Sequence, residues 1–193
     1  SAIGGGVAES WMAGAKDLAG RDRLRAGQAD IGAYAYVPPS FSCPVAAGAT
    51  TGFDALDATL TASPEGEAAQ LAGLVYYWDF ENDGVTDASG PGLSSVRHTY
   101  ATFGETTTRL SVTNAHGVGT TSFITFRVQP SVIYVASGNP SAAAPYATWE
   151  TAAAMPAEAL AYAFDGSRVL VSNGTYRLPA PIVIERAITF IDT

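Results

Sequence analysis

From residue 56 to residue 128 the chain repeatedly alternates between apolar and polar positions. Leu56, Ala58, Leu60 and Ala62 alternate with Asp57, Thr59 and Thr61, and Leu74, Tyr76, Trp78 and Phe80 with Val75, Tyr77 and Asp79. Leu110 and Val112 alternate with Arg109, Ser111 and Thr113, and Ile124, Phe126 and Val128 with Thr125 and Arg127. A period of two sends one set of side chains to a core and the other to water, which predicts half-buried antiparallel strands. Gly90-Pro-Gly92 and Asn114-Ala-His-Gly117 interrupt the pattern with turn residues. Short strands at this spacing argue for a β-sandwich.

On either side the pattern changes, which divides the chain into 1–40, 41–129 and 130–193. The first part is rich in Gly and Ala. Asp30-Ile-Gly-Ala-Tyr-Ala-Tyr36 predicts a short strand, and Val37-Pro-Pro-Ser40 a linker, because proline removes a backbone donor and fixes φ. Before it, Asp17 to Gly27 carries turn residues at both ends. The third part opens on Val132-Ile-Tyr-Val135. Thr148 is a candidate N-cap, Pro156 a plausible helix start, and the helical run reaches Phe164. Apolar strands are expected at Arg168–Val171, Ile182–Ile184 and Ile188–Ile191, with a turn at Ser172-Asn-Gly-Thr175.

Three runs carry resemblances to known families. The first is Leu74-Val-Tyr-Tyr-Trp-Asp-Phe-Glu-Asn-Asp-Gly-Val-Thr-Asp87, followed by His98-Thr-Tyr100 and Thr108-Arg-Leu-Ser-Val-Thr-Asn-Ala-His-Gly117. This resembles a PKD domain, the immunoglobulin-like sandwich found in many secreted bacterial proteins. The second is Asp17-Leu-Ala-Gly-Arg-Asp-Arg23 with Asp30 to Tyr36, which resembles the last coil of secreted right-handed parallel β-helices, Ala35 standing where glutamate is usual. The third is Tyr134-Val135, Pro145-Tyr-Ala-Thr-Trp-Glu-Thr-Ala-Ala153 and Val169-Leu-Val-Ser-Asn-Gly-Thr-Tyr176, which is similar to the opening of pectate-lyase-like β-helix domains. It departs at Met155-Pro156, where those proteins continue the helix, and the departure shifts the expected helix start. Together these resemblances imply an all-β chain: an immunoglobulin-like antiparallel sandwich flanked by partial parallel β-helix segments with one short capping helix.

Composition narrows the function. With 193 residues, 47% of them hydrophobic and 15% charged, the chain has the make-up of a globular protein and not of a disordered one. The net charge of −8, with Lys16 the only lysine, gives no basic face for nucleic acid. Arg21, Arg23 and Arg25 read as solvated charge on one face of a strand or turn. Cys43 stands alone, so no internal disulfide can form, and it is expected to be a small buried hydrophobe. No apolar run approaches the roughly 18 residues of a membrane helix. The start, Ser1-Ala-Ile-Gly-Gly-Gly, is not that of a signal peptide, so an export signal is expected outside this sequence.

Little in the sequence suggests chemistry. Asp79, Glu81, Asp83 and Asp87 lie around Gly84 as a partial echo of a calcium loop, although Ser89 stands where such a loop needs its last glutamate. In PKD modules the corresponding turn often closes by hydrogen bonds alone. The expectation is therefore a plain turn, with calcium at these four residues as the alternative. Trp78 is expected to fill the core and Tyr77 to face outward. Tyr100 is expected to hydrogen-bond across the sandwich while His98 braces a turn, and His116 is expected to be solvated in a hairpin. Asn173-Gly-Thr175 fits the glycosylation pattern, with the asparagine expected to serve the turn. No serine–histidine–acid set is evident.

The resemblances imply a non-catalytic module of a secreted or cell-surface bacterial protein: a spacer with a contact surface for a polysaccharide or a cell-surface protein. The alternatives are the non-catalytic part of a polysaccharide lyase or hydrolase, whose catalytic residues would lie on middle coils, and part of a β-helical adhesin. Apolar strands at cut β-helix ends would also favour edge-to-edge self-association.

Overall fold

The computed structural model describes residues 6–18, 20, 22–25, 28–29, 40–68 and 70–192, and divides into two units, Ser1–Ser40 and Phe41–Thr193. In the first, a 3-10 turn at Ser10–Met12 precedes β1 (Leu24–Arg25) and β2 (Gln28–Ala29), which pair antiparallel. Gly6 donates its amide to Ala29 across a bridge, and Lys16 pairs with Asp22. The strand expected at Asp30–Tyr36 and the double-proline linker lie outside the described residues, as does Arg21.

The second unit begins with β3 (Val45–Ala47), β4 (Thr51–Phe53) and β5 (Leu56–Ala62), followed by β6 (Val75–Asp79), β7 (Ala88–Gly90) and β8 (Ser95–Tyr100). The long hairpin β9 (Gly104–Thr113) and β10 (Gly119–Gln129) completes the sandwich. One sheet has the order β3-β5-β8 and the other β4-β10-β9-β6-β7, all antiparallel except β4 on β10. The alternation read from the sequence is the alternation of burial except at Asp79. Expected outward with Val75 and Tyr77, Asp79 is buried because β6 ends there and its carboxylate turns in to accept backbone amides. Leu56, Ala58, Leu60 and Ala62 are buried and their neighbours exposed, and Trp78, Leu110, Val112, Phe126 and Val128 meet them from the facing sheet. Trp78 is fully buried opposite Leu110 on β9. Its indole N–H would be orphaned there, and it donates to the Leu93 carbonyl at 2.9 Å. Cys43 is buried in the same core, and burial pushes its thiol pKa up. This is an all-β sandwich accompanied by one short helix.

After Gln129 the chain enters the third sheet of this unit, a parallel one: β11 (Val132–Val135), β12 (Arg168–Val171) and β13 (Thr189–Asp192), in the order β11-β12-β13. Ile133, Val169 and Phe190 are in register across it. Helix α1 (Pro156–Tyr162) packs Ala159 into the core beneath these strands.

Two expectations need correction here. Thr148 does not cap the helix; its hydroxyl accepts from Thr151 N at 3.3 Å in a separate turn. Pro156 occupies the first helical turn, and Glu158 reaches back to the amides of Ala154 and Met155 at 3.1 and 3.3 Å. The strand expected at Ile182–Ile184 is irregular backbone, with Val183 and Ile184 exposed. A short apolar run does not specify a strand unless a neighbour offers it a ladder, and β13, at Thr189–Asp192, takes the place beside β12.

Candidate functional site

The residues singled out for chemistry gather around the turn from Asp79 to Asp87, where β6 leaves the sheet. Asp79 is the last residue of β6 and is buried. Its Oδ1 accepts from Asp83 N at 3.0 Å, and its Oδ2 from Gly84 N at 3.0 Å. Arg109, its register partner on β9, brings Nη2 to 3.0 Å of Oδ2. A buried carboxylate is costly unless it is paired and hydrogen-bonded, and this one is both. Asn82 (φ 53°) and Gly84 (φ 92°) are left-handed, which bends the chain tightly enough for the two amides to converge.

The other three carboxylates are also occupied. Asp87 Oδ2 accepts from Phe80 N at 2.7 Å, and Asp87 N returns a bond to Trp78 O at 2.8 Å. Asp83 Oδ1 accepts from Val85 N at 2.8 Å. Glu81 lies 3.4 Å from His98 Nε2. The fold thus brings Asp79, Asp83 and Asp87 into one hydrogen-bonded turn and leaves Glu81 against His98. Among the described residues, no three His, Cys, Asp or Glu side chains gather as a metal-binding group.

Behind the turn, aromatic rings join the two sheets. His98 stacks on Phe80 (centroids 4.1 Å apart) and meets Tyr100 edge-on, and Tyr100 stacks on Phe126 at 4.2 Å. Thr108 donates its hydroxyl to the Phe80 carbonyl at 2.8 Å. Its only proton is then committed, so the Tyr100 phenol is the donor in the bond between the two hydroxyls. Burial, with a smaller contribution from the Glu81 charge, pushes the Tyr100 pKa up to about 12. His116 is exposed, its amide donating to Asn114 Oδ1 at 2.9 Å. Tyr77 faces outward, as expected.

Sequence reasoning missed the junction between the sandwich and the parallel sheet. Asp54, left-handed at φ 62°, follows β4 and donates its amide to Gln129 O at 2.7 Å. Its carboxylate accepts both from the Ser131 amide, at 2.9 Å, and from the Ser131 hydroxyl. The Ser131 carbonyl in turn accepts from Arg168 N at 2.9 Å, at the start of β12. Arg127, near the end of β10, lies 4.6 Å from the ring centre of Phe164, and Arg186 lies 5.0 Å from the same ring. The only sequence signal was an Asp after an aromatic at a strand end, which many turns share.

No family model matches the chain, and no curated protein matches it. Among solved structures it is similar to the crystal structure of the PKD1 domain of Vibrio anguillarum Epp. Identity is 23%, the match covers 47% of this chain and 95% of that one, and the TM-score is 0.36. Among the described residues, no helix is long and apolar enough to cross a membrane.

Proposed function

We propose that the chain is a non-catalytic architectural segment of an extracellular or cell-surface protein. In this reading a PKD-like sandwich serves as a spacer fixed to the first rungs of a pectate-lyase-like parallel stack. The observation that carries the reading is the Ser131 junction. A flexible tether would leave the sandwich and the stack independent, whereas here one residue is hydrogen-bonded to Asp54 of the first and Arg168 of the second. The hydrogen bonds that Asp79, Asp83 and Asp87 accept from backbone amides support the same reading, because they give these carboxylates a role in closing the turn.

Small-angle scattering on the purified chain and on Asp54→Ala tests the proposal. The parent should fit one rigid arrangement of residues 41–192, and the variant should broaden the distribution of distances without losing the sandwich signal. A parent profile that demands freely reorienting halves would remove the basis for a rigid spacer.

A second reading, the non-catalytic portion of a polysaccharide lyase or hydrolase, is favoured by the in-register parallel ladder at 132–135, 168–171 and 189–192. Under either reading the chain alone leaves pectin, alginate and xylan uncut. Association of copies through the β13 edge, and contact with a polysaccharide or surface protein, belong to both readings.

A further inference from the structure

We propose that Asn173-Gly174 is a site of spontaneous covalent change, the one asparagine in this chain that the fold leaves free to deamidate. Attack by a following backbone nitrogen on a side-chain amide needs three things: a free carboxamide, an N–H on the next residue not committed elsewhere, and a small next residue. The other three asparagines each lack one or more of them. Asn82 precedes Asp83, whose amide is held by Asp79 Oδ1 at 3.0 Å. Asn114 donates Nδ2 to Gln70 O and accepts at Oδ1 from His116 N and Val118 N. Asn139 donates to the carbonyls of Glu150 and Ala152, and Pro140 behind it has no N–H.

The two Asp-Gly pairs, which react through the same ring, are blocked in the same way. Gly84 N is bonded to Asp79 Oδ2 at 3.0 Å and Gly166 N to Ala187 O at 2.7 Å. Asn173 and Gly174 are exposed, and among the described residues neither the carboxamide nor the Gly174 amide makes a hydrogen bond. The flanks are nevertheless held: Ser137 Oγ donates to Thr175 O at 3.0 Å, and the Tyr176 phenol donates to Ser172 O at 2.9 Å.

In the reaction the deprotonated Gly174 nitrogen attacks Asn173 Cγ. The new N–C bond closes a five-membered succinimide, the Cγ–NH2 bond breaks, and the amide leaves as ammonia. Water then opens either carbonyl of the ring, giving aspartate or isoaspartate. Each conversion adds one negative charge to a chain already at −8. The isoaspartyl product also lengthens the backbone by a methylene beside Gly174. Gly174 packs closely on Ser137, where a Cβ on Gly174 would come within 2.7 Å of Ser137 Cβ, so a longer backbone has no room to shift toward Ser137. The altered turn should therefore loosen the link between β12 and β13 and leave the sandwich untouched.

The test is peptide mapping by mass spectrometry after incubation of the folded chain at mildly alkaline pH, beside the same chain in denaturant. In the folded chain, the amide-to-acid mass increase and isoaspartate should accumulate at residue 173 and not at 82, 114 or 139, with Asp83 and Asp165 unisomerised. In denaturant the two Asp-Gly sites should react as well. Asn173→Gln, which would need a less favourable six-membered ring, should abolish the folded-state signal. If residue 173 stays intact in the folded chain while reacting in denaturant, the held flanks protect it and the proposal fails.

Discussion

At the scale of single residues, the fold depends on side chains that fill space and satisfy polar atoms at once. Trp78 is the clearest case. Trp78→Ala should cost about 3–5 kcal/mol, because it empties the centre of the core and orphans the Leu93 carbonyl. Urea denaturation followed by far-ultraviolet circular dichroism measures this as a lowered midpoint with an unchanged slope. Tyr100 predicts a pH dependence. Its folded pKa is raised to about 12 from an ordinary 10.0, so its contribution is fully present below pH 10 and is lost as the pH rises through 12. Tyr100→Phe should flatten stability across that window in alkaline titration, at the cost of one buried hydrogen bond. A variant whose alkaline loss matches the parent's would assign that loss to other groups.

At the scale of elements, the period-two strands were legible because burial in a sandwich follows pleat alternation residue by residue. The parallel β4–β10 pair was not, because pairing between segments so distant in sequence leaves no local periodicity. The run at 182–184 misled for the opposite reason: it has the composition of a strand but no neighbour to bond. The Asp79–Asp87 turn was legible as an acidic cluster, but its wiring was not. Backbone amides facing carboxylates are a matter of φ at Asn82 and Gly84, which composition does not report. In that wiring the turn closes on N–H groups and an arginine, so millimolar calcium followed by chelator should leave the melting curve unchanged. A calcium-dependent rise in melting temperature, removed by Asp83→Ala, would instead assign the four carboxylates to a cation. Asp79→Ala should be severe, since it removes the shared acceptor of the Asp83 and Gly84 amides and strands Arg109 as well.

At the scale of the whole molecule, the edges of the sandwich and of the parallel sheet differ. The five-stranded sheet ends in three-residue strands, β4 and β7, which offer little to an incoming strand. Beyond β13 there is no further strand among the described residues, and Phe190 is 40% exposed in register with the fully buried Ile133 and Val169. Hydrogen exchange should therefore be slowest in β6, β9 and β10, and the amides of 189–192 should gain protection as the chain is concentrated. Light scattering should show concentration-dependent association that Phe190→Lys suppresses. A strict monomer at all concentrations would leave that edge without a partner.

The Asp54–Ser131 contact also has a consequence for synthesis. The two residues are 77 positions apart, and among the described residues β4 finds its only ladder partner at 127–129. As the chain emerges from the ribosome N-terminus first, the early strands must wait with an unclosed core until β10 arrives. Ser131 follows within two residues, so closure of the sandwich and placement of the first parallel strand become nearly one event. A nascent chain stalled before residue 127 would expose apolar strands to chaperones, and one released past 131 would have its junction already set.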